Sequence, residues 1–355
     1  MNVLLFVAGL TLLIAGASLL VRGASRLALS LGVSPLVVGL TIVAFGTSSP
    51  ELAVSVGAAL DGRTDIAVGN VVGSNIFNVL FILGLSALIA PLVVHTQLIR
   101  QEVPVMIGAS LLLLALGLDG ALSLADSALL LGLLLVYTVF LVVQSRRQTQ
   151  ADAEEYAEAL EPHSQWDRHW AVQIALVAGG LVLLVIGSDW LVTAAVAFAK
   201  ALGVSDLVIG LTIVAAGTSM PEVATSIVAA IKGERDIAVG NVVGSNTFNI
   251  LGVLGLTGLV AGAGLPMAPA VLNFDLWVML VVAFACLPVF LTGREIARWE
   301  GGVFIGYYVA YATYLILASQ QHELLPRFSQ VMLGFVIPLT IVTLIVMLLR
   351  RPAPR

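Results

Sequence analysis

Run after run of apolar residues in this chain reaches the ~20 positions needed to cross the hydrocarbon of a bilayer. The runs fall near 3–28, 34–60, 67–90, 103–118, 124–143, 171–199, 205–231, 238–261, 275–292, 301–318 and 328–349, eleven in all. Only 10% of the residues are charged and 59% are hydrophobic, whereas a soluble domain carries about 25% charged residues. A large soluble core does not account for that pattern, and the fold class it predicts is all-α, a polytopic membrane protein. The first run starts at Val3 with no basic leader and no A-x-A-like exit, which marks a retained helix rather than a cleaved signal. The single cysteine, Cys286, excludes an internal disulfide and lies in apolar surroundings, the setting of an inert buried thiol.

Basic residues set the expected orientation, because cytoplasmic loops hold the excess of Lys and Arg. With the N-terminus outside and the C-terminus inside, thirteen of the sixteen basic residues fall on the inner side, leaving Arg63, Lys200 and Arg327 outside. The one long polar segment contains "ADAEEYAEALE" and lies between spans five and six. Its acids lack the glycine turn and ligand order of an EF-hand loop, so it is expected to be a solvated cytoplasmic linker or a short amphipathic helix.

The chain also repeats itself. "GVSPLVVGLTIVAFGTSSPELAVSV" from Gly32 matches "GVSDLVIGLTIVAAGTSMPEVATSI" from Gly203 without a gap, at an offset of 171 residues. The match continues through "DIAVGNVVGSNIFN" (65–78) and "DIAVGNVVGSNTFN" (236–249), which differ only at Ile76 and Thr247. Five spans separate corresponding helices, and because five is odd the second copy enters the membrane upside down. The domain plan that follows is a first inverted repeat of five helices over 1–143, the acidic linker over 144–170, a second repeat of five over 171–319, and an extra helix with its tail over 320–355. In such inverted repeats the substrate site lies near the midplane, where discontinuous helices of the two halves meet.

The strongest identity falls on "GTSxPE" and "GNVVGSNxFN". Glu51 and Glu222 are the acids placed deep in the membrane with a symmetric mate, and an acid at that depth costs ~2.5–3.5 kcal/mol even on lenient scales unless it is paired, protonated or bound to a cation. All four histidines, His95, His163, His169 and His322, fall in loops. No permanent basic partner exists at that depth, so protons or metal cations are the available counter-charges. Pro50 and Pro221 each remove a backbone N–H and break or kink the helix just before the acid. That exposes carbonyls near Ala44 and Ala215, which join the hydroxyls of Thr47, Ser48, Thr218 and Ser219 as candidate ligands. An all-oxygen set of this kind suits Ca²⁺ or Na⁺ and does not suit zinc or copper.

In the second motif, Gly69 and Gly73, like Gly240 and Gly244, form the G-x-x-x-G spacing that lets helices approach closely. Ser74 and Asn78 share a helix face, as do Ser245 and Asn249, and their neutral oxygens are placed to complete cation sites. Asn70, Asn75, Asn241 and Asn246 lie off that face and are assigned to interhelical hydrogen bonds. Asp189, inside the sixth span, corresponds to Ser18 and breaks the symmetry; an interhelical hydrogen bond is expected of it. Two carboxylates balance one Ca²⁺ or two Na⁺, or are discharged by two protons. A site that tolerates either load but not emptiness favours obligatory exchange.

The paired "GTSxPE" and "GNVxGSN" segments resemble the α-repeats of the cation/Ca²⁺ exchanger superfamily, in its prokaryotic Na⁺/Ca²⁺ exchanger branch. The resemblance runs from the first span to about the tenth. It implies a secondary antiporter that works by alternating access, in which Glu51 and Glu222 hold Ca²⁺ with Thr47, Thr218 and the carbonyls of Ala44 and Ala215. Ser48, Ser74, Asn78, Ser219, Ser245 and Asn249 would form Na⁺ and shared sites. The first and sixth spans would slide against the rest of the bundle. Ca²⁺ and Na⁺ are cargo in this reading. No cofactor, no enzymatic activity and no nucleic-acid partner is expected, a single copy in the bilayer suffices, and the location implied is a prokaryotic inner membrane. Two departures stand out: the eleventh span exceeds the family's ten, and Asn249 stands where K⁺-dependent relatives carry Asp. The closest rival reading is an H⁺/Ca²⁺ antiporter, although that branch resembles "GNxxE" where this chain has "GNVVG". A cation channel is a further alternative.

Overall fold

The computed structural model describes residues 2–159, 169–202, 213 and 215–349. The chain runs through α1 (Asn2–Leu31), a broken pair α2 (Pro35–Thr47) and α3 (Ser49–Leu60), α4 (Thr64–Ile89), α5 (Leu98–Asp119) and α6 (Leu124–Ala159). It continues with α7 (Trp170–Ala201), the short turn α8 (Ala215–Gly217), α9 (Met220–Ile231), α10 (Arg235–Ala261), α11 (Val271–Leu291), α12 (Arg298–Ser319) and α13 (Leu325–Val346). Among the described residues nine helices are long and apolar enough to cross a membrane, or ten when the bent α2–α3 pair counts as one span. The expected seventh span, 205–231, lies partly outside the described residues. Ile213, α8 and α9 are what the structure describes of it.

Four two-residue strands clip the loops in mirror-related pairs: β1 (Leu92–Val93) with β4 (Glu295–Ile296), and β2 (Ala121–Leu122) with β3 (Leu265–Pro266), both antiparallel. Each clip joins one repeat to the other. The centre of the molecule is formed by α4 and α10, whose most apolar windows are 72% and 94% buried. They carry the two "GNVVGSN" segments.

Two spans begin earlier than their apolar runs do. The fourth was expected over 103–118, yet α5 starts at Leu98 with a π-helical turn, Leu98–Glu102. The buried Glu102 is satisfied there by Tyr137 Oη at 2.5 Å and by the amides of Gln97 and Gln101 at 2.9 and 2.8 Å. α11 repeats the device, starting with a π-helical turn, Val271–Asp275, in which Asp275 accepts from Tyr311 Oη at 2.8 Å. A hydropathy window penalises both acids, whereas three neutral donors on Glu102 and a tyrosine on Asp275 offset the cost of burying them. α6 runs on past its apolar stretch and is helical through "ADAEEYAEA" to Ala159.

α1 and α7 pack antiparallel along a seam of glycines. A Cβ added at Gly9 or Gly16 would lie 2.8 Å from the carbonyl oxygen of Gly187 or Gly180, and the reverse substitutions meet the same backbones. Gly16 and Gly187 are mates at the repeat offset, as are Gly9 and Gly180, so the seam is its own mirror image. In lipid, where apolar burial gives helices little reason to associate, such backbone proximity supplies the packing. Gly240 and Gly244 serve the same purpose against Leu36 and Leu40. The mates of those leucines at the repeat offset, Leu207 and Leu211, lie outside the described residues, and no described atom lies within 4 Å of a Cβ at Gly69 or Gly73. α13 has no buried residue in its first two turns and meets α12 through Tyr307, whose hydroxyl pairs with Thr340 and donates to the Val336 carbonyl at 3.4 Å.

Candidate functional site

Each "GTSxPE" segment breaks its helix at one serine. Ser48 has φ −83 and ψ 7, and Ser219 has φ −87 and ψ 7, so both leave the helical region in the same way. The first break bends the span by 43°. Proline follows in the first turn of the next helix, where its missing N–H is no loss, and the acid comes directly after it. Glu51 and Glu222 therefore sit at the N-terminal ends of α3 and α9, beside unpaired N–H groups and the positive end of the helix dipole.

The two halves then exchange partners. Ser219 Oγ donates to Glu51 Oε1 at 2.7 Å, and Ser48 Oγ donates to Glu222 Oε1 at 2.9 Å. Ser219 Oγ also lies 3.3 Å from Ser74 Oγ. Both glutamates are fully buried, and among the described residues no Lys, Arg or His bonds to either. Their second oxygens, Glu51 Oε2 and Glu222 Oε2, are buried with no hydrogen-bond partner.

The asparagines complete the pattern. Asn75 Nδ2 donates to the Asn246 carbonyl at 3.2 Å, and Asn246 Nδ2 donates to the Asn75 carbonyl at 3.3 Å. Their side-chain oxygens accept from the site asparagines: Asn78 Nδ2 to Asn246 Oδ1 at 3.0 Å, and Asn249 Nδ2 to Asn75 Oδ1 at 3.1 Å. With each amide nitrogen engaged, Asn78 Oδ1 and Asn249 Oδ1 are left buried and without a donor, as is Ser245 Oγ. Asn78 and Asn249 each open a π-helical turn, Asn78–Leu83 and Asn249–Leu254, a local widening found often at functional sites. Asn70 and Asn241 clamp the acid-bearing helices by donating to Ser55 Oγ and Ser226 Oγ at 3.1 Å each.

The structure thus brings Glu51, Ser219 and Ser74 together, and Glu222 with Ser48, while Asn78 and Asn249 project from the same central helices. The remaining candidates are engaged to different degrees, with Thr218 lying against Glu51 and Thr47 against Glu222. Thr47 Oγ1 donates to Asn241 Oδ1 at 3.1 Å and also lies 3.4 Å from the Ala44 carbonyl, which already accepts the Ser48 N–H at 3.0 Å. Thr218 Oγ1 is buried without a partner, and Ala215 opens the short turn α8. The carbonyls that lose their usual donor to Pro50 and Pro221 are those of Gly46 and Gly217, four residues back. The hydrogen bond expected of Asp189 is made by its neighbour: Asp189 is exposed, while the buried Ser188 Oγ donates to the Gly217 carbonyl at 2.7 Å. Asp189 sits on the outward face of α7.

Sequence reasoning named the candidate oxygens but missed what holds them: the π-helical turns have no compositional signature, and the partners of Asn75 and Asn246 lie on the opposite repeat. No group of three or more His, Cys, Asp or Glu occurs among the described residues. The site is instead two carboxylates set among neutral oxygens.

Comparison with known proteins bears on the family and the fold. The family described as "Sodium/calcium exchanger protein" matches residues 1–143 and 172–317. The putative antiporter CaxA of Alkalimonas amylolytica is 41% identical over 318 residues, covering 88% of this chain and 98% of that protein. The sodium/calcium exchanger MaX1 of Methanosarcina acetivorans is 34% identical over 346 residues, covering 89% and 98%. A solved structure of the sodium-calcium exchanger NCX_Mj, soaked with zero Na⁺ and Ca²⁺, superposes with a TM-score of 0.75 at 31% identity, covering 88% of this chain and 98% of that one.

Proposed function

The chain belongs to the sodium/calcium exchanger family, a multi-pass membrane cation/Ca²⁺ antiporter by that membership, and we propose that it exchanges Na⁺ for Ca²⁺ by alternating access. The observation that carries this reading is the set of buried oxygens with no donor: Glu51 Oε2, Glu222 Oε2, Asn78 Oδ1, Asn249 Oδ1 and Ser245 Oγ. Five acceptors facing no hydrogen-bond donor are costly in a dry interior. A cation with a flexible oxygen shell offsets that cost. One Ca²⁺ or two Na⁺ neutralise the two carboxylates, so either load makes the site stable enough to cross while the empty site stays charged.

Proton coupling is the second reading, because two protons would also discharge the glutamates. Protonation does nothing for Asn78 Oδ1 and Asn249 Oδ1, whose amide nitrogens are already bound and whose oxygens accept no proton near neutral pH. Na⁺ uses those oxygens, which favours sodium. Binding of a third Na⁺ through the neutral groups would add a net positive charge to the loaded carrier and make exchange voltage-sensitive. An inward Na⁺ gradient would drive such exchange toward Ca²⁺ extrusion, whichever way the carrier is inserted. An inner-membrane location accords with the 38% identity to the inner membrane protein YrbG of Escherichia coli.

The test is ⁴⁵Ca²⁺ uptake into proteoliposomes loaded with Na⁺, compared with an imposed pH gradient at equal Na⁺. Uptake that requires the outward Na⁺ gradient and grows with a positive interior supports this reading. Uptake that follows the proton gradient alone replaces it with H⁺/Ca²⁺ exchange.

A further inference from the structure

The two repeats share their site residues but not their surroundings. α1 packs along α9, and α7 also meets α9, whereas neither helix of the pair packs along the mirror-related α3. Exposure follows: Val54 on α3 is 41% exposed, while its mate Thr225 on α9 is fully buried. Over the broken turns, α7 supplies both contacts. A Cβ on Gly46 would meet Leu181 at 2.6 Å, and one on Gly217 would meet Val192 at 2.7 Å. Applying the repeat offset to this packing gives a second arrangement from the same residues. There α7 lies along α3, α9 is released, and α1 sits over the breaks with Leu10 on Gly217 and Val21 on Gly46. The glycine seam between α1 and α7 is its own mirror image, so it serves both arrangements unchanged.

One bond does not survive the exchange. Ser188 Oγ donates to the Gly217 carbonyl, which Pro221 has deprived of its helical donor. The mate of Ser188 is Ala17, which has no hydroxyl to offer the Gly46 carbonyl. A second contact is one-sided in the same sense: Lys232 Nζ donates to the Ser18 carbonyl on α1 at 3.2 Å. Its mate is Asp61, which has no ammonium group to donate. Both contacts hold the α1–α7 pair in the arrangement that covers α9.

We infer that the Ser188 hydroxyl, bonded to the Gly217 carbonyl in one repeat only, is a positioning group that biases the carrier toward the arrangement with α9 covered and α3 uncovered. It breaks the near-degeneracy an inverted repeat would otherwise give its two states. On the topology with the N-terminus outside, the favoured state opens outward. The inference rests on the exchange reading in needing two interchanging arrangements, but its readout is separate from ion flux.

Spin-label distances on the purified full chain test it. Leu31 and Ile231 end α1 and α9 on one face; their mates Leu202 and Leu60 end α7 and α3 on the other, and all four are exposed. Each pair is labelled through paired cysteines, Leu31→Cys with Ile231→Cys and Leu60→Cys with Leu202→Cys, while the buried Cys286 stays unlabelled. Ser188→Ala is expected to raise the ratio of the arrangement with Leu60 and Leu202 close by about 3- to 10-fold, the worth of one buried hydrogen bond. Ala17→Ser, which keeps Ser188 and adds the missing hydroxyl, should shift the same ratio in the same direction even if Ser188→Ala fails to fold. Distance distributions in folded Ala17→Ser and Ser188→Ala that superpose on the parent's overturn the inference. Unchanged distances with intact ⁴⁵Ca²⁺ exchange remove the tie alone; shifted distances without exchange remove the proposed function alone.

Discussion

Replacing Glu51 or Glu222 by glutamine keeps the shape of the site and removes the charge a divalent cation needs. Ser219 and Ser48 still find an amide oxygen to donate to, so the fold is expected to persist. Removing one charge from a buried pairing costs about 3–5 kcal/mol, so Ca²⁺ affinity should fall by at least about 100-fold and exchange should be lost. Equilibrium ⁴⁵Ca²⁺ binding to Glu51→Gln and Glu222→Gln checks this, and near-normal affinity in either would remove that residue from the site. Asn75 touches no ion in this account; it turns the Asn249 amide so that its oxygen is free. Losing a group that orients a ligand costs roughly 10- to 100-fold in metal affinity, and Asn75→Ala should fall in that range in Na⁺ competition against bound Ca²⁺. The glutamates, Asn78 and Asn249 were legible because they repeat at a fixed offset in a medium that forbids idle polar groups. The orienting role of Asn75 was not, because the sequence does not say which way an amide faces.

At the scale of helices, glycine means different things at different places. In α1, Gly16 is the contact surface itself, since an added Cβ would meet Gly180 O at 2.8 Å and Leu184 N at 2.9 Å. Gly16→Ala should force the pair apart and cost about 1–3 kcal/mol, in the range of overpacked cores. In α5, nothing among the described residues lies within 4 Å of a Cβ at Gly108. There alanine should stabilise by about 0.5–1 kcal/mol through lower chain entropy and better helix propensity. Thermal unfolding of the two variants in one detergent should move in opposite directions; a common direction would show that the seam tolerates side chains. The breaks at Ser48 and Ser219 were foreseeable from Pro50 and Pro221. The early starts of α5 and α11 were not, because Tyr137 and Tyr311 satisfy their acids from a different helix.

For the molecule as a whole, the candidate site is confined to the two repeats. The described site residues lie on α2, α3, α4, α8, α9 and α10 or at the breaks between them, and the family match ends at residue 317. α13 leans on the outside of the bundle through Tyr307. Deleting residues 320–355 should therefore leave Na⁺-dependent ⁴⁵Ca²⁺ uptake within about twofold per folded molecule, since removal of that exposed surface touches none of the site's bonds, while lowering the melting temperature. Loss of uptake in a folded truncation would give α13 a part in transport.

By itself the sequence determined that the chain lives in a bilayer, that it holds the same unit twice in opposite senses, and that two acids and a set of neutral oxygens recur at matching positions in both. Those follow from local facts: run length, a fixed offset, and the cost of a charge in hydrocarbon. Only the tertiary structure decided that each acid takes its serine from the other repeat, that Asn75 and Asn246 free the oxygens of Asn78 and Asn249, and that α1 and α7 lean on α9 and not on α3. Each of these is a choice among partners far apart in sequence, and a repeat that is nearly identical in both halves cannot say which of two mirror-related packings its chain will adopt.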